Sequence, residues 1–192
     1  MKNLAVFASG TGTNAQKIIE HFQAPGKTAK VSLVVCNKPG AGVLEIAAKA
    51  NIPVLLIERD QFFRGDSYVA SLTTGGIDFI ILAGFLWKIP KALIDAYPRR
   101  IINIHPALLP DYGGKGMYGS FVHEAVLAAG ESESGITIHY VDEHYDHGDI
   151  IFQARCTIDK TDNAESLSKK VHSLEHRHYP EIIERVISEG AR

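Results

Sequence analysis

The sequence predicts an α/β fold, a mostly parallel, Rossmann-like twisted sheet with helices on both faces. Three observations predict it. Apolar runs of strand length recur along the chain, amphipathic stretches separate them, and a glycine loop follows the first run. Residues 4–9 form that first run, and Gly10-Thr11-Gly12-Thr13-Asn14 breaks it. Residues 15–22 read as a helix with Ile18, Ile19 and Phe22 on one face. Residues 31–35, 53–57, 79–82 and 101–104 read as four further strands, with helices over 42–50, 63–72 and 92–97 between them. These runs are apolar throughout rather than alternating, as strands buried on both faces are. After His105 the rhythm changes. A Gly- and Pro-rich loop over 106–119 leads to a helix at 121–129, then to two strands at 136–141 and 150–158. A long amphipathic helix follows over 164–188, and Pro180 is expected to interrupt or re-angle it.

The bulk numbers suit one domain spanning 1–192. The hydrophobic share is 45% and the charged share 22%, ordinary for a globular chain. A chain of this size buries roughly 70% of the surface it exposes when unfolded, so no staple is required. The formal net charge of −2 argues against a nucleic-acid partner, which calls for a basic face. No apolar run reaches the ~18 residues of a membrane span, and no secretory signal is visible. The expected location is cytoplasmic. Cys36 and Cys156 lie in apolar runs and read as small buried hydrophobes.

Three segments carry chemistry. In the first, Gly10-x-Gly12 follows a strand and opens a helix, where free N–H groups and the helix dipole favour an anion. Thr13 and Asn14 add side-chain donors, so a phosphate is the natural guest. Gly10-x-Gly12-x-x-Ala15 also fits the dinucleotide fingerprint loosely. That reading wants an acidic residue after the second strand, and the chain has Cys36-Asn37-Lys38 there. In the second, Ile102-Asn103-Ile104-His105-Pro106, strand alternation puts Asn103 and His105 on one side. They stand at the carboxyl end of a parallel strand, where open α/β sheets bind ligands. An Asn amide donates to a developing oxyanion, and a His holds or moves a proton near neutral pH. The third, Asp142-Glu143-His144-Tyr145-Asp146-His147-Gly148-Asp149, is rich in carboxylates and imidazoles. Its spacing matches no familiar zinc pattern, so no metal is expected, even with His139 added. The preferred reading is that one carboxylate orients and charges His105 across the site.

Taken together, these motifs resemble those of the phosphoribosylglycinamide formyltransferases, which use folate. The resemblance rests on Ser9–Asn14, Leu82-Ala83-Gly84-Phe85, Ile102–Pro110, Gly135-Ile136-Thr137-Ile138-His139, Asp146-x-Gly148 and Glu175-His176-x-x-Tyr179-Pro180, in that order along nearly the whole chain. It implies transfer of the formyl group of 10-formyltetrahydrofolate to the primary amine of glycinamide ribonucleotide, a step of purine synthesis. It further implies a catalytic trio of Asn103, His105 and Asp146, with protonated His105 and Asn103 stabilising the oxyanion. The nucleotide would sit on Gly12, Thr13, Asn14 and Glu175. Folate would lie along Leu86, Trp87, Ile89, Tyr140, Val141 and Asp142. Residues 1–100 would form the nucleotide-phosphate half and 101–192 the catalytic and folate half. The implied partners are small molecules, with no nucleic acid or membrane, acting on a monomer or homodimer.

The chain departs from the pattern in places. Leu86-Trp87-Lys88-Ile89 stands where relatives often carry Met-Arg-Ile-Leu, and His172 where they often carry Gln. The loop over 111–119 is longer than the common form, and Arg64 is one position out of register. Two rivals share the Asn-x-His-Pro core: formyltetrahydrofolate deformylase, usually with an added amino-terminal domain, and methionyl-tRNA formyltransferase, with an added carboxyl-terminal one. A dinucleotide-binding module is the rival from another class.

Overall fold

The computed structural model describes residues 1–64 and 66–190. Among them, five strands run parallel: β1 (Lys2–Ala8), β2 (Ala29–Cys36), β3 (Val54–Leu56), β4 (Phe79–Leu82) and β5 (Ile101–His105). Two antiparallel strands complete the sheet, β6 (Glu133–Tyr140) and β7 (Ile150–Thr157). The order is β3-β2-β1-β4-β5-β6-β7. The chain winds outward from β1 to β3, then returns to the other side of β1. That reversal opens a crevice at the carboxyl ends of β1 and β4. The sheet continues without a break across residue 100, because β5 pairs with both β4 and β6.

Side-chain alternation in the strands divides the core in two. Leu4, Val6 and Ala8 of β1 face α1 (Thr13–Gln23), α2 (Gly42–Lys49), α6 (Ser120–Ala128) and α7 (Ala164–Glu189). Ala5 and Phe7 face the opposite layer of α3 (Arg59–Arg64), α4 (Ser67–Thr74) and α5 (Lys91–Ala96). Every member of the Leu4–Ala8 run is buried, as expected for a central parallel strand.

Several expectations are corrected in detail. The helix expected over 63–72 is two short helices, α3 and α4, and Gly65 between them lies outside the described residues. Phe62 rather than Phe63 enters the core, at 1% against 43% exposure, so the apolar face is set one residue earlier. Asp66 then stands at the N-cap of α4. Helix α7 is not interrupted at Pro180 but runs through it. Leu167, Val171, Tyr179, Ile183 and Ile187 recur on one buried stripe that packs on both sides of the proline. That continuous burial outweighs the one helical hydrogen bond the proline removes. Cys36 is buried, whereas Cys156 is only half-buried. No described helix is long and apolar enough to cross a membrane.

Tyr179 fixes α7 to the sheet. Its ring is wholly buried, and its hydroxyl reaches the carbonyl oxygens of Leu82 at 2.8 Å and Ile102 at 3.1 Å. Those carbonyls belong to β4 and β5, next to the crevice. Tyr179→Phe keeps the ring and deletes the donor, leaving buried carbonyls short of a partner. The expected cost is about 1–2 kcal/mol, read as a lower denaturant midpoint with an unchanged m-value.

Candidate functional site

Three strand ends build the site. Beyond β1, the loop 9–12 turns sharply into α1. Gly12 has φ of +81°, and a Cβ there would come within 2.8 Å of Val43. Both the left-handed backbone and the close approach of α2 demand glycine at this position. The Gly10 carbonyl accepts from Val43 N–H at 3.3 Å, holding the loop over α2. Beyond β4, the Leu86 N–H donates to the buried Ser9 hydroxyl at 3.1 Å, so the 83–89 segment is tied to the same corner. Beyond β5, the wholly buried Thr137 hydroxyl donates to the Ala107 carbonyl at 2.7 Å and accepts from Leu109 N–H at 2.9 Å. This anchors the chain as it leaves His105.

A cavity of about 1180 Å³ lies between these ends. One small-molecule site commonly occupies roughly 300–1,000 Å³, so there is room for more than one ligand. Gly12, Thr13, Asn14, Asn103, His105, Asp146 and Glu175 all line it, as do Leu86, Trp87, Ile89 and Val141. Tyr140 and Asp142 do not. The Tyr140 ring lies under the Arg99 guanidinium, 4.4 Å from the ring centroid, and the Asp142 carboxylate turns to its own loop. Alternation along β6 turns Tyr140 away from the side that carries His139, and Asp142, beyond the end of the strand, bonds within its own loop. Trp87 packs against Phe62, Phe63 and Phe85, with centroids 5.6 to 6.2 Å apart, so this ring joins the cavity wall to α3. Arg64 is exposed and pairs loosely with Asp60 at 3.7 Å, outside the cavity. His172 lines the cavity one turn before Glu175.

The polar centre is one connected network. The Asn103 amide nitrogen lies 3.1 Å from His139 Nε2 and 3.4 Å from an Asp146 oxygen. His139 Nδ1 contacts the Tyr140 carbonyl at 2.8 Å, so Nδ1 carries the ring proton and Nε2 accepts from Asn103. His105 is 3% exposed. Its Nε2 donates to the Tyr112 carbonyl at 2.8 Å, and its Nδ1 faces Asp146 Oδ2 at 3.5 Å. Asp146 also accepts from the Gly114 N–H at 3.0 Å. Asp146 and Tyr112, the two residues that offer oxygens to His105, both have left-handed backbones, with φ of +54° and +56°. Non-glycine residues there cost roughly 1 kcal/mol or more each, and such strain gathers at functional sites.

Electrostatics separates the groups. Burial raises the Asp146 carboxyl, but the neighbouring His139 and His105 side chains and the Gly114 N–H outweigh it and hold the pKa below the ordinary value. Burial depresses His105, and Asp146 and the Tyr112 carbonyl recover only part of the loss. The expectation that Asp146 keeps His105 charged is therefore corrected: an almost fully enclosed imidazole favours its neutral form. Glu175 is shifted the other way. It sits on the apolar stripe of α7, 4% exposed, and burial raises its pKa despite the Asn14 amide at 2.8 Å and nearby His172.

Two residues were missed as site members. His139 is 1% exposed and orients Asn103. Its signal was position, since register pairs it with Asn103 across β5 and β6. His123 also lines the cavity at 2% exposure, and burial takes its pKa down to about 4. Only its place on the buried face of α6 could have flagged it.

Comparison with known proteins shows the family and the fold. Residues 2–183 match the formyl transferase family. The chain is 43% identical to the chloroplastic phosphoribosylglycinamide formyltransferase of Arabidopsis thaliana over 98% of its own length. It spans 66% of that protein, and 62% of the corresponding Vigna unguiculata protein. It is 37% identical to the phosphoribosylglycinamide formyltransferase of Bacillus subtilis, covering 97% of this chain and 95% of that one. The crystal structure of the Bacillus halodurans phosphoribosylglycinamide formyltransferase superposes with a TM-score of 0.88 at 36% identity, covering 98% and 97% of the two chains. The chain belongs to the formyl transferase family, among the phosphoribosylglycinamide formyltransferases.

Proposed function

We propose that this chain transfers the formyl group of 10-formyltetrahydrofolate to the primary amine of glycinamide ribonucleotide, as the names of its relatives suggest. The observation that carries the reading is the convergence of Asn103, His105 and Asp146 on one cavity that also holds the Gly12–Asn14 loop and Glu175. In this reading the phosphate lies on the amino end of α1, and Glu175 and Asn14 take the polar body of the nucleotide. Leu86, Trp87, Ile89 and Val141 offer the flat apolar wall that a folate ring needs. Nothing in this scheme uses a metal, and we place the reaction in the cytoplasm.

The substrate amine attacks the formyl carbon, and the carbonyl oxygen becomes an oxyanion. Asn103 stabilises it as a donor, held by His139. His105 starts neutral and takes the proton that the new ammonium gives up. The imidazolium so formed lies against Asp146, which stabilises it. The bond from carbon to the folate nitrogen then breaks as that nitrogen receives the proton. Tetrahydrofolate and the formylated amide leave, with no covalent enzyme intermediate.

The test is tetrahydrofolate release from 10-formyltetrahydrofolate, with and without glycinamide ribonucleotide. Release that requires the ribonucleotide supports transfer; release without it means hydrolysis. His105→Ala is expected to lower kcat by about 10²–10⁴ with the fold intact. A near-normal kcat would remove His105 from the mechanism.

The pH profile follows from the direction of the His105 shift. A neutral His105 predicts that kcat/KM falls on the acid side as the ring protonates below its ordinary value of 6.5. Asp146 raises the His105 pKa, so Asp146→Asn is expected to move that limb to lower pH while reducing kcat. A limb that stays in place would assign it to the substrate amine instead.

Glu175→Gln tests the second carboxylate. A raised folded pKa favours the fold below the ordinary glutamate range, and this contribution is lost as pH climbs through the raised value. The Gln variant lacks that loss. It is expected to gain stability over the parent chain as pH rises from acid to neutral, while its KM for the nucleotide increases. Parallel stability curves would place the Glu175 carboxylate in water.

A further inference from the structure

The loop between β6 and β7 carries two histidines that the proposed reaction does not use as ligands or acids. Its neck is closed. Tyr140 N–H donates to the Asp149 carbonyl at 2.9 Å, and Gly148 packs so tightly on the Tyr140 carbonyl that no Cβ fits there. Within the loop, the Asp142 carboxylate accepts from the His144 backbone N–H at 2.7 Å. Its Oδ2 lies 3.0 Å from His147 Nδ1, and its Oδ1 lies 3.9 Å from His144 Nδ1. One donor atom from each of the three residues falls within 4.8 Å of the others. The two rings meet edge to face, with centroids 5.4 Å apart.

From this placement we propose that Asp142, His144 and His147 form a binding site for a divalent transition metal of the zinc class, at the rim of the cavity and outside the catalytic trio. Metal–ligand bonds of about 2.0–2.1 Å in a tetrahedron put ligand atoms a little over 3 Å apart. The observed separations need only small side-chain rotations. Both histidine side chains are about three-quarters exposed and free to make them. Two imidazoles with one carboxylate suit zinc, cobalt, nickel or copper rather than magnesium or calcium, which prefer oxygen. Three protein ligands leave a fourth position for water. The linear spacing, Asp-x-His-x-x-His, hides the site because a tight turn rather than a helix brings the ligands together.

The site adjoins function through the chain itself. Asp146 lies between His144 and His147, and its left-handed backbone depends on the shape of this loop. A metal tying both histidines to Asp142 clamps the segment that presents Asp146 to His105. The metal takes no part in formyl transfer. The proposal therefore stands apart from that reading, and either can fail alone.

Other histidines could mimic this signal. On α7, His172 and His176 stack in parallel with centroids 6.2 Å apart, so they serve as the internal control. The experiment is a calorimetric titration of the full chain with Zn²⁺ in a non-chelating buffer above the histidine pKa, repeated with Co²⁺ to read its visible absorption. The expected result is one site per chain, with the strong Co²⁺ bands of four- or five-coordination. Loss of a partner that merely orients a ligand costs roughly 10–100-fold in metal affinity, so His147→Gln and Asp142→Asn should each weaken binding by at least that. The double variant His172→Gln with His176→Gln should bind as the parent does. Absence of Zn²⁺ binding, binding retained in a His144→Gln, His147→Gln chain, or binding lost in the α7 control would each overturn the site. His147→Gln should retain metal-free formyl transfer, which shows that the chain tested is folded.

Discussion

The buried hydroxyl of Tyr179 is the contact on which the site depends. It is a single polar atom in an apolar layer, and it satisfies itself only by bridging to the carbonyls of Leu82 and Ile102. Those two carbonyls belong to neighbouring strands at the point where the sheet opens. The same contact therefore sets the height of α7 against the sheet and the spacing of the strand ends that carry the site. Glu175 lies one turn earlier on the same stripe and is delivered to Asn14 by that docking. A carboxylate in such a stripe is costly unless something binds it. Its burial makes sense only if the opposite wall supplies a partner, which here is the amino end of α1.

Two carboxylates frame the cavity and are treated in opposite ways. Asp146 is held low by donors and rings converging on it, whereas Glu175 is pushed up by an apolar surround with one amide for company. This separation is what lets one pocket contain a permanent negative charge beside an imidazole and a second carboxylate that is reluctant to ionise. His105 sits between the two tendencies. Enclosed and neutral, it has an acceptor at each ring nitrogen, so a proton arriving from outside finds its charge already provided for. The strain at Tyr112 and Asp146 positions both acceptors.

Much of the fold was legible in the sequence because parallel strands buried on both faces leave continuous apolar runs. Phe79–Leu82 is one such run, and the structure places it in the sheet with no residue exposed. What the sequence concealed were matters of tertiary context. The 63–72 segment looked like one helix, but burial selects Phe62, and Asp66 starts a second helix. Pro180 looked like a break, but a stripe packed on both sides carries α7 through it. At the site, Asn103 and His105 were visible because polar side chains in an apolar strand are costly without partners. The glycine loop was visible because glycines between a strand and a helix mark a tight turn and a close approach. The residues alone pointed only to some carboxylate of the 142–149 turn facing His105, and the family resemblance singled out Asp146. His139 did not, because its importance comes from cross-strand register with Asn103. The family resemblance grouped Tyr140 and Asp142 with Val141, but of the three only Val141 lines the cavity.

The topology explains how catalytic groups 43 residues apart in sequence, Asn103 and Asp146, come together. In an all-parallel sheet each connection must cross over a face, so no loop can turn back directly over the strand ends. The switch to antiparallel pairing at β5 and β6 removes that restriction. β6 runs back along β5, from Thr137 beside His105 to Tyr140 beside Ile102, bringing His139 beside Asn103, and the 142–149 turn folds back so that Asp146 faces His105. Asp146 thereby reaches His105 with only a short turn between β6 and β7. The short turn also explains the strained backbone at Asp146: a loop closed at its neck by Gly148 can present that carboxylate only by taking a left-handed step. Catalytic reach and local strain are thus two consequences of one change of strand direction.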